Sequence, residues 1–124
     1  DRQWVWTGSW NLTENCTYRN NNNALLISSA HLAVNFTNEF LEMFDDRAFG
    51  PGSPRNTTYP VLTIGQSIVE CYFAPEDNVE DAIVVKLAAA GASIDFMAFS
   101  FTSVPIAEAM ADRRRARSRT LREA

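Results

Sequence analysis

Ser9, Asn11 and Thr13 alternate along one polar stretch. Glu14, Asn15, Thr17 and four consecutive asparagines, Asn20 to Asn23, follow before the apolar Ala24-Leu25-Leu26-Ile27. Amide and hydroxyl side chains donate hydrogen bonds, as do loop N–H groups, so the group suits an oxyanion. The same side chains also satisfy turn backbone, and Asn20 and Asn23 read as ties between the loop and the next strand. Other chemistry-bearing residues are sparse. The single histidine, His31, falls in the first turn of an expected helix, where an imidazolium is disfavoured and a surface role is the plainer reading. Lys86, the single lysine, falls inside another helix. Cys16 and Cys71 have no His/Cys cluster around them, so no metal or cofactor is expected. The thiols read as unpaired, with one disulfide as the alternative. Glu39, Glu42, Asp45 and Asp46 read as the solvated side of a helix and not as a catalytic pair.

The elements that must position this loop follow from periodicity. Trp4-Val5-Trp6-Thr7 favours a strand, which Gly8-Ser9 stops. Residues 24–27 predict a buried strand, and Ser29 caps a helix over about 30–44. Leu32, Phe36, Phe40 and Phe44, broadened by Ala33, Leu41 and Met43, give that helix an apolar face. Residues 50–60, rich in Gly and Pro, predict a linker. Residues 61–64 and 66–73 predict strand material around a Gly65 turn, a small hairpin or two edge segments. Asp77 and Glu80 resemble a capping box for a helix over 78–90, with Val79, Ile83, Leu87 and Ala90 as its stripe and Gly91 as its end. Residues 93–101, through Phe99, are apolar on both faces and predict a central parallel strand, followed by a helix from about Ser103-Val104-Pro105. The expected fold class is α/β, with helices packed on a mixed, partly parallel sheet.

Asp1, a six-residue spacer, Gly8-Ser9-Trp10-Asn11 and Leu12-Thr13 together resemble the tail of the motif that defines the phospholipase D-like phosphodiesterases. In that family His-x-Lys comes first, an Asp stands five residues beyond the Lys, and Gly-Ser-x-Asn follows after six more. An Asn-x-Glu-Asn segment comes later; here it is Asn20 to Asn23, with Asn22 at the place of the Glu. The resemblance implies a site of Asp1, Ser9 and Asn11. Ser9, Asn11 and Thr13 would contact phosphate, Asn20, Asn22 and Asn23 would support the loop, and Asp1 would stand behind the histidine strand. Residues 73–77 and 93–102 resemble the opening of the family's second repeat. The implied layout is the end of repeat one over 1–49, a linker over 50–60 and the start of repeat two over 61–124, a partial phospholipase D-like fold. The implied activity is metal-free hydrolysis of a lipid or nucleic-acid phosphodiester through a phosphohistidine, with both His-x-Lys segments outside these residues. Gly8-Ser9-Trp10-Asn11 resembles the bacterial nuclease-like and generic hydrolase branches more than the large lipid-cleaving enzymes. The isolated chain is expected to be inactive.

The 124 residues carry a net charge of −4, distributed unevenly. Residues 1–110 hold five basic and thirteen acidic side chains, a balance that opposes a broad polyanion groove. The last stretch, ADRRRARSRTLREA, holds six arginines without aromatic residues and reads as a solvated tail. No run of about 20 apolar residues occurs. The expectation is a soluble chain, secreted or periplasmic if a leader was removed upstream. Asn-x-Ser/Thr triplets begin at Asn11, Asn15, Asn35 and Asn56. The competing expectation is a non-catalytic α/β interaction module whose asparagine loop or arginine tail binds a protein or nucleic-acid partner.

Overall fold

A computed structural model describes residues 3–98 and 100–123, with side chains as far as residue 116. It divides into two units, residues 1–77 and 78–124. In the first, β1 (Trp4–Gly8) pairs antiparallel with β2 (Ala24–Ser28), Val5 opposite Ile27 and Gly8 opposite Ala24. Between them, a short helix α1 (Glu14–Tyr18) forms inside the polar loop. Ser29 caps α2 (Ala30–Leu41) by accepting the Leu32 N–H at 3.2 Å. The helix then widens into a π turn, Glu42–Asp46, closed by Arg47 in the left-handed region. A second antiparallel pair, β3 (Val61–Ile64) and β4 (Ser67–Glu70), turns at Gly65. The core of this unit is Val5, Leu32, Ala33, Leu62 and Cys71, with Phe36 and Phe73 meeting edge to face at 5.3 Å.

In the second unit, α3 (Val79–Ala89) packs on α4 (Val104–Glu123). Ser103 joins them: its hydroxyl donates to Glu80 Oε2 at 2.6 Å and accepts the Ile106 N–H. Arg113, from the arginine-rich stretch, donates through Nε at 3.0 Å to the carbonyl of Ala90, where α3 ends. A guanidinium there meets an orphan carbonyl and the negative end of the helix dipole, so this arginine has a structural task.

Several expectations are corrected. The sheet is not mixed or partly parallel: among the described residues the α/β fold carries two small antiparallel two-stranded sheets. Residues 93–98 form no strand, and Met97 is 89% exposed; Phe99 lies outside the described residues. A strand needs a neighbour to complete its hydrogen-bond ladder, and the described residues of this unit offer only helices. β2 is not buried, since Leu25 and Leu26 are exposed on opposite faces. Phe40 and Phe44 stack on each other at 5.4 Å in the open instead of entering the core. Glu42 is buried, not solvated. Asp77 does not cap α3. Asn78 stands at that position, while the Asp77 carboxylate accepts the Phe73 N–H at 3.0 Å and the Thr57 hydroxyl at 2.6 Å.

Residues 50–60 lie within the first unit, and their second half is strapped along α2. Asn35, Asn38 and Glu42 recur at helical spacing and take Tyr59, Thr58 and Asn56 in turn. Asn35 is 2% exposed, and its amide both donates to the Tyr59 carbonyl at 2.8 Å and accepts the Tyr59 N–H at 2.9 Å. One side chain thus replaces a strand partner for Tyr59.

Candidate functional site

The loop of residues 9–23 begins where β1 ends at Gly8. Gly8 has φ +152°, and a Cβ there would run into the carbonyl of Asn23 and stand 2.7 Å from the Cα of Ala24. Only glycine lets the two loop ends close to this distance. Ser9 and Trp10 donate their N–H groups to the Asn23 carbonyl at 3.0 and 3.2 Å. The Ser9 hydroxyl donates to Asn22 Oδ1 at 3.3 Å and accepts the Asn23 N–H at 3.1 Å. Ser9 therefore meets Asn22 and Asn23 at the loop mouth, although twelve residues lie between Ser9 and Asn22.

Asn11, Thr13 and Asn20 gather at the other end of the loop, around Cys16. Thr13 is the N-cap of α1, its hydroxyl accepting the Cys16 N–H at 3.2 Å. The side-chain amides of Asn11 and Asn20 donate to Cys16 Sγ at 3.6 and 3.7 Å, and Asn22 donates to the Cys16 carbonyl at 3.2 Å. These donors favour a thiolate. Thr13 foremost, then the backbone and amide of Asn11, with a smaller contribution from Asn20, hold the thiol at about 7, below its ordinary 9.0. Cys71 shows the opposite: burial pushes its thiol up, the charges of Asp77 and Glu39 add to this, and an Asn35 hydrogen bond opposes it. Both thiols are free.

The expected site residues thus fall into two groups: Ser9, Asn22 and Asn23 at the mouth, and Asn11, Thr13 and Asn20 around the thiol. Asp1 lies outside the described residues. Cys16 is the group that reading by residue type missed. Its signal was its place three residues after a capping Thr13, among asparagines. His31 is not in the loop; it stacks on Tyr59 at 4.3 Å. Of the four glycosylation-type asparagines, Asn35 is enclosed, whereas Asn11, Asn15 and Asn56 are exposed. Among the described residues, no group of three His, Cys, Asp or Glu side chains is arranged to hold a metal ion, and no helix is long and apolar enough to cross a membrane. No protein-family model, curated protein or solved structure matches the chain.

Proposed function

We propose that this chain contributes part of a phospholipase D-like phosphodiester hydrolase, its loop of residues 9–23 holding phosphate oxygens. The observation that carries the reading is the spacing of Asp1, six residues, Gly8-Ser9, one residue and Asn11. Two features of the fold support it. Gly8 has no room for a side chain, so the Gly-Ser turn is a geometric requirement. Ser9 touches Asn22, the residue that stands where the family has its Glu.

The chemistry sets what the loop supplies. A phosphodiester shields its phosphorus with anionic oxygens, so hydrolysis needs a strong nucleophile and fixed donors. The Ser9 hydroxyl and Asn11 amide are donors that orient an oxygen; neither attacks phosphorus at neutral pH. The nucleophilic histidine, the acid that protonates the leaving oxygen and the clamping lysines belong, in this reading, to His-x-Lys segments outside residues 1–124.

Titration with inorganic phosphate, followed by NMR at the Asn11 and Asn22 side-chain amides and the Ser9 N–H, tests the binding role. Saturable shifts that vanish in Asn11→Ala support it. No shift up to tens of millimolar phosphate leaves the loop a purely structural tie. A chromogenic phosphodiester assay on the same chain is expected to give no turnover, and turnover lost in Asn11→Ala would contradict the assignment of the nucleophile elsewhere.

The second reading, a non-catalytic interaction module, draws on the exposed aromatic side chains of Trp4 and Trp6 on β1. It gains weight if phosphate leaves the loop unmoved.

A further inference from the structure

The strap of residues 55–59 and the segment of residues 73–77 bring acidic side chains together against the end of α2. Glu42 is 6% exposed; its Oε2 accepts from the Asn56 amide at 2.9 Å, while its Oε1 is enclosed without a hydrogen-bond partner. Both carboxylate oxygens of Glu76 are likewise enclosed without a partner. Asp77, equally buried, accepts from Thr57 and from the Phe73 N–H. Glu39 faces the same group: burial first, and then the charges of Glu76, Glu42 and Asp77, raise its carboxyl above the ordinary glutamate value of 4.5. Cys71 borders the cluster and is pushed up by its burial and by Asp77 and Glu39. Among the described residues, the cation paired with this group is Arg55, whose Nε is 3.8 Å from Asp77 Oδ1 and whose side chain is 66% exposed. An ion pair so open to water is strongly screened.

Carboxylate oxygens withdrawn from water without donors lose their hydration and gain nothing in exchange. Adjacent like charges add repulsion. The arginine at the rim reaches Asp77, and Glu42 Oε1 and both Glu76 oxygens stay without a donor. The neutral Asn35 and Asn38 contacts hold the upper half of the strap, whereas Asn56 and Thr57 are held by members of the acidic cluster itself.

We propose that this seam is a proton-sensitive latch, which tightens on the strap of residues 55–57 when Glu39, packed among these enclosed carboxylates, takes up a proton and slackens when it releases it. The direction is set by linkage. A carboxyl raised in the folded state contributes stability that is present at low pH and lost as pH rises through its folded value. Acidification from pH 7.5 toward the ordinary glutamate value of 4.5 therefore stabilises the first unit, the gain falling between that value and the raised one of Glu39.

All three tryptophans lie in the first unit, so their fluorescence during urea unfolding reports on it. The full chain carrying Cys16→Ser, which removes the loop thiol from the titration, is unfolded at pH 5, 6 and 7.5, with and without Glu39→Gln or Glu76→Gln. The expected result is a higher midpoint at pH 5 than at 7.5. Each Gln variant should raise the midpoint at pH 7.5; Glu39→Gln should remove the pH dependence, and Glu76→Gln should reduce it by taking away a charge that raises Glu39. A flat or falling midpoint on acidification overturns the proposal. So does a Gln variant that is less stable than its parent at pH 7.5, or a pH dependence unchanged in both variants.

Discussion

The loop of residues 9–23 and the strap of residues 55–59 are built from the same short polar side chains, yet they hold their hydrogen bonds under different conditions. In the strap, Asn35 is enclosed and both ends of its amide are committed to one backbone residue. In the loop, the Ser9, Asn11 and Asn20 contacts are exposed, reach 3.3 to 3.7 Å, and compete with water throughout. An exposed hydrogen bond contributes little net stability and exchanges readily for a ligand, whereas a buried donor left alone bears the full cost of its desolvation. The two cysteines make the same point. Loop donors lower Cys16 and burial raises Cys71.

The comparison breaks first at Asn35. Asn35→Ala strands the Tyr59 N–H and carbonyl, each worth about 1–3 kcal/mol when buried and unpaired. The first unit should lose about 2–5 kcal/mol in urea unfolding followed by tryptophan fluorescence. A loss as small as that of a loop variant would mean that water reaches the strap. Gly8→Ala should cost more than the about 1–3 kcal/mol of an unfavourable backbone conformation alone, because the new Cβ also meets Asn23 and Ala24. Its loop amides should shift together in NMR spectra, a sign that the mouth has opened.

Smaller effects are expected within the loop. Thr13→Ala removes the cap of a five-residue helix and should cost about 1 kcal/mol or less, with amide exchange accelerating at residues 14–18 and unchanged at Tyr59. The Cys16 environment is best read through reactivity. Alkylation of the native chain should follow a pH midpoint of about 7 at Cys16, while Cys71 reacts only after unfolding. Asn11→Ala should move the Cys16 midpoint upward. Because the folded thiol is lowered, the stability it contributes is present above pH 9.0 and is lost as pH falls through about 7. This slope is opposite to that of the acidic seam and disappears in Cys16→Ser.

Local sequence determined much of this protein. The β-favouring Trp4 to Thr7, the cap at Ser29, the hairpin about Gly65 and the helix from residue 79 all form where nearest-neighbour chemistry places them. Gly8-Ser9 marks its own turn, because a carbonyl approaches where only glycine fits. Tertiary structure decided what depends on partners distant in the chain. Residues 93–98 have strand composition but, among the described residues of their unit, no strand beside them, and apolar composition alone cannot supply a ladder. Residues 55–59 have loop composition, yet Asn35, Asn38 and Glu42 on α2 capture them. Asp77 carried a capping pattern and was drawn instead to Thr57 and Phe73. The lowered Cys16 arises from a loop that folds back until Asn11 and Asn20 reach one sulfur. Backbone preference is short-ranged and visible in neighbouring residues; burial and hydrogen-bond pairing are set by which segments meet, and only the folded chain settles that.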